Sequence, residues 1–99
     1  MTYFVEGLSN HQASELKVRS IGKYETVGEA IAVAKRVIDI FLRQEFKAGM
    51  LPKALFTEYQ NRGEYPLIFR DDDKTFNVHE FSHFHYALTR SAEICAGKK

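Results

Sequence analysis

The chain has 99 residues, 44% of them hydrophobic and 27% charged, with 14 Lys+Arg against 13 Asp+Glu and a net charge of +1. Thirteen aromatic residues, five Tyr and eight Phe, exclude full disorder, because they supply enough apolar surface to offset chain entropy. The length supports one domain, residues 1–99, and the balanced charge excludes the basic field that would draw in nucleic acid or an anionic membrane.

No apolar run approaches the roughly 20 residues needed to cross a bilayer. The opening residues lack the basic, then apolar, then small-residue pattern of a secretory leader. A single cysteine, Cys95, suits a reducing compartment, so a cytoplasmic location is expected.

Thr2–Gly7 is rich in β-formers and predicts a first strand. A polar stretch follows, with Ser9, Asn10, His11, Gln12 and Ser14. From Leu16 to Tyr24 the chain reads as extended again, with Leu16 and Val18 alternating against Lys17 and Arg19; Gly22 marks a place for a bulge. The two segments together predict an antiparallel hairpin.

Thr26 followed by Glu29 forms a capping box, and Val27, Ala30, Ile31, Ala34, Val37, Ile38 and Phe41 then recur at helical spacing. This predicts a long helix to about Lys47, with Gly49 as a left-handed stop. Arg36, Asp39 and Arg43 fall on the opposite side as a solvated, self-compensating stripe. Val33, Ile40 and Leu42 widen the apolar face, which suggests either a central helix with two neighbours or a homodimer contact.

Pro52 suits the first turn of a second helix that carries Leu55, Phe56 and Tyr59 and ends at Gly63. Tyr65–Arg70 reads as a third strand, with Pro66 at its start or on an edge. Asp71, Asp72, Asp73 and Lys74 read as a polar turn. Asn77 with Glu80 predicts the cap of a last helix, whose apolar face would carry Phe81, Phe84, Leu88, Ala92 and Cys95 with Ile94 beside it. The expected fold is α+β, in the order β-β-α-α-β-α: a small, mostly antiparallel three-stranded sheet with helices packed on one face.

One motif carries chemistry. His79-Glu80-Phe81-Ser82-His83 matches H-E-x-x-H and resembles the zinc site of the zincin metallopeptidases. On a helix, His79 and His83 would share one face and one Zn²⁺, and Glu80 would take a proton from zinc-bound water. The resemblance covers five residues. A catalytic zinc needs a third protein ligand, and the sole acidic residue downstream, Glu93, lies roughly 15 Å further along such a helix. The metzincin extension wants glycine where Tyr86 stands. Glu80 also has an ordinary role as the reciprocal cap of Asn77.

Asp71–Asp73 does not make an EF-hand loop, since the places for glycine and glutamate hold Phe76 and Ser82. A generic Mg²⁺ site on two of these aspartates is the remaining metal reading for that turn. Cys95 lacks an activating partner and reads as a small buried hydrophobe. No catalytic constellation converges. The function expected is therefore non-enzymatic: a binding, accessory or regulatory protein acting through a protein partner or self-association, a homodimer being one form of the latter. The alternative is a zinc-binding protein or zinc-dependent hydrolase using His79 and His83.

Overall fold

The computed structural model describes residues 2–9, 17–70, 73–77 and 81–97, with the backbone alone at 17 and 73–77. In chain order these are β1 (Tyr3–Ser9), β2 (Lys17–Tyr24), α1 (Val27–Glu45), α2 (Pro52–Arg62), β3 (Tyr65–Arg70), β4 (Asp73–Asn77) and α3 (His83–Cys95). The fold is α+β, and β1–β3 form the antiparallel sheet with the helices in the order β-β-α-α-β-α. β3 joins the free edge of β1, so the sheet order is β2-β1-β3-β4.

β4 is an addition to the expected elements. It pairs with β3 through Phe69↔Asn77 and Arg70↔Asp73. Asn77 therefore lies in a strand and does not cap the last helix. That role falls to Ser82, whose hydroxyl accepts a 3.3 Å hydrogen bond from the His85 amide.

β1 alternates as its sequence demands. Val5 and Gly7 are buried, while Phe4, Glu6 and Leu8 occupy the opposite face. Val5 pairs with Ile68 of β3 and with Gly22 of β2. The β1–β2 register slips between Val5↔Gly22 and Glu6↔Ser20, which leaves Ile21 as the extra residue of a bulge. Ile21 packs with Tyr24 against the inner cluster.

That cluster is Val5, Ala30, Ala34 and Ile68, all essentially inaccessible to water. The alanines let α1 lie close over the sheet. One turn further on, Ile38 and Leu42 enter a second cluster with Leu55, Tyr59, Ala87 and Ile94, formed between the three helices. Phe81 touches both clusters. The broad apolar face of α1 thus serves two neighbours, and Ile40, 52% exposed, is what remains outside.

The helix starts follow their sequence signals. Thr26 Oγ1 accepts from the Glu29 amide at 3.1 Å and donates to the Glu29 carboxylate at 3.1 Å, so the return bond of this box goes to the hydroxyl. Pro52 occupies the first turn of α2. At the other end, α1 stops at Glu45 and Gly49 turns the chain with φ +83°, while Gly97 does so after α3 with φ +84°. Gly63 ends α2 at φ −75°, which is not left-handed. Glycine is needed there because a Cβ would stand 2.5 Å from the Tyr59 ring and 2.7 Å from its carbonyl oxygen.

Candidate functional site

The histidine motif divides at the start of α3. His83 is the first residue of that helix, and His79 and Glu80 lie outside the described residues, as do Asp71 and Asp72. α3 as described therefore does not carry the i,i+4 pair. His83 Nδ1 makes a 3.0 Å hydrogen bond with the hydroxyl of Tyr59. Its ring lies 4.6 Å from Tyr65 and 4.2 Å from Phe84, centre to centre. Among the described residues, no group of three or more His, Cys, Asp or Glu side chains comes together to hold a metal ion.

Tyr59 was read only as an apolar helix residue, yet it is fully buried and its hydroxyl needs a partner. His83 supplies one. Burial is the main reason its ionisation is pushed far above the ordinary tyrosine value, with the charges of Tyr65 and Glu64 adding to it. The pair is a satisfied structural hydrogen bond within an aromatic cluster.

The polar centre of the helical layer is Asp39. It accepts from the Tyr86 hydroxyl at 2.7 Å and from Arg90 Nε at 3.2 Å, while Arg90 Nη1 donates to Glu93 at 3.2 Å. Asp39 is half-buried and not part of a solvated stripe. Arg90 is 8% exposed and belongs to the buried side of α3 with Ala87, Ser91 and Ile94. The face predicted from hydrophobicity is correspondingly displaced: Phe84 is 40% and Leu88 50% exposed. The buried face is offset from the expected one by about one residue, roughly 100°, and Arg90 paired to Asp39 lies on it. For the Arg90 guanidinium, burial pulls the pKa down, but the carboxylates of Glu93 and Asp39 outweigh it and the net shift is upward.

Tyr86 is pushed from 10.0 to about 12, first by burial and then by its bond to Asp39. Tyr59 and Tyr65 shift in the same direction, chiefly by burial. Because the fold favours the neutral phenols, this contribution to stability is complete below pH 10 and is lost as pH rises toward 12. Thermal unfolding followed by circular dichroism is expected to show Tm falling across that window. Tyr86→Phe should make the fall shallower.

The remaining surface of interest is the outer face of the sheet. β1 places Phe4, Glu6 and Leu8 there; Phe4 pairs with Phe69 and Lys23, Glu6 with Leu67 and Ser20, and Leu8 with Val18. Val18 is 61% exposed. A hollow of about 70 Å³ lies between Phe4, Glu6, Ser20 and Phe69. Among the described residues, Phe4, Leu8, Val18, Leu67 and Phe69 take no part in the two buried clusters, whereas Tyr65, paired with Leu8 at the end of β3, turns in against the helices. The strand alternation is legible in the sequence, but which face meets the helices is not.

No protein-family model matches the chain, and neither a curated protein nor a solved structure is significantly similar to it. No helix among the described residues is long and apolar enough to cross a membrane.

Proposed function

We propose that this protein is a non-enzymatic binding module that acts by protein contact, and that its partner is a second copy of the chain docked on the outer face of the sheet. One observation carries the reading. Phe4, Leu8, Val18, Leu67 and Phe69 share one sheet face outside the two buried clusters of the described residues, Val18 exposed and the other four half-buried.

Five apolar side chains from β2, β1 and β3 make up most of this face. Contiguous apolar patches beyond a few hundred Å² mark interaction sites. The same face carries one acid, Glu6, and one base, Lys23, among the described residues, so a second copy presents the opposite charge that each requires. A net charge of +1 leaves little global repulsion between copies.

Size-exclusion chromatography with light scattering tests this at micromolar concentrations. A mass twice that of the 11.4 kDa chain is expected, returning to the monomer in Val18→Glu. The charge introduced by that variant sits on an exposed site, so folding should be retained. A wild-type chain that stays monomeric at high concentration would overturn the proposal.

A further inference from the structure

A second surface, separate from the sheet, lies between α1 and the first turns of α3. Lys35, Phe81, Ser82, His85, Tyr86 and Thr89 line an open cleft of about 240 Å³. We infer that this cleft binds a small aromatic carboxylate, its ring against Phe81 and Tyr86 and its carboxylate on Lys35.

The aromatic wall is held in place. Phe81 and Tyr86 lie 6.0 Å apart with their rings inclined at 46°. The Tyr86 hydroxyl donates to Asp39, which Arg90 also holds, so the ring is anchored from behind. A wall fixed before a ligand arrives lowers the ordering cost of binding.

Lys35 brings a positive charge to the rim of the cleft. Lys35 Nζ stands 5.5 Å from the centre of the Tyr86 ring and makes no ion pair among the described residues. Asp39, one turn along α1 from Lys35, is held by Tyr86 and Arg90. A cation over an aromatic face, with polar groups of Ser82, His85 and Thr89 around it, favours an anion joined to a flat apolar body. Size restricts the choice further. At about 240 Å³ the open cleft has room for a single-ring molecule.

The test is an NMR titration of the ¹⁵N-labelled full chain with benzoate, using benzamide as the uncharged probe of the same shape. Benzoate is expected to shift the amides of Lys35 and of residues 82–89 with saturation near 1 mM, as suits so small a ligand. Lys35→Met keeps the apolar stem and should weaken benzoate about tenfold, and benzamide should bind the wild type about tenfold more weakly than benzoate. The spectrum of the free variant reports its folding directly. Three results would each overturn the inference: no saturable shift up to about 20 mM benzoate, equal binding of benzamide, or undiminished binding by a folded Lys35→Met.

Discussion

Tyr59→Ala is expected to cost about 3–5 kcal/mol, the range for removing a large buried aromatic side chain. The ring is wholly inaccessible and sits in the cluster that joins the three helices, with Ile38, Leu42, Leu55, Ala87 and Ile94. Its aromatic neighbours meet it from several directions: Phe41 at 6.0 Å, Tyr65 at 5.4 Å and Phe84 at 6.4 Å between centres. These neighbours come from α1, β3 and α3, so no single shift can close the space. A chain of this length has roughly 5–15 kcal/mol in total, which makes the loss severe. Tyr59→Phe separates the hydroxyl from the ring. It should cost only about 0.5–1.5 kcal/mol, since it removes one hydrogen bond to His83 and keeps the packing. Urea denaturation followed by circular dichroism measures both. If the phenylalanine variant lost as much as the alanine variant, the hydrogen bond and not the ring would be the dominant stabiliser.

The second large effect is expected at Asp39. Asp39→Ala deprives Arg90 of one of its two carboxylate partners and leaves the Tyr86 hydroxyl unpaired. The guanidinium is 8% exposed, and its surviving partner Glu93 is 43% exposed at the side chain. Breaking a buried pair typically costs 3–5 kcal/mol; partial exposure of Asp39 lowers the expectation to about 2–4 kcal/mol. Removing both charges is a different case. Asp39→Leu with Arg90→Met should cost less than Asp39→Ala alone, because no buried charge is then stranded. A double-mutant cycle read by denaturation gives the coupling directly. Additive single effects would mean that Asp39 and Arg90 act independently despite their 3.2 Å contact.

What could be read from sequence follows the reach of the forces involved. Thr26, Glu29 and Pro52 act within one turn, and the two helices they start are where local rules place them. The β-rich runs at Thr2–Gly7 and Tyr65–Arg70 are strands for the same reason. Asp39 illustrates the limit. Seen along α1 it belongs with Arg36 and Arg43, and only its distance to Arg90, 51 positions away, makes it an interior residue. The buried face of α3 includes the charged Arg90 while Phe84 and Leu88 are exposed, so hydrophobicity alone misplaces it. The Tyr59–His83 bond likewise spans 24 positions and has no local signature. Asn77 had a persuasive cap pattern, yet the hairpin with β3 prevailed over it. At His79 and His83 the motif presumed one continuous helix, whereas α3 begins only at the second histidine.

The central place of β1 has a consequence for how the chain acquires its shape. One of its edges is closed by β2, which lies nearby in sequence, but the other waits for β3, some sixty residues later. Contacts of such long range slow folding, because a large loop must close before it is rewarded. As a ribosome extends the chain, the early hairpin would carry an open, adhesive margin until residues 65–70 emerge. An unpaired strand edge of this kind is a template for aggregation, so the order of synthesis sets when that hazard ends.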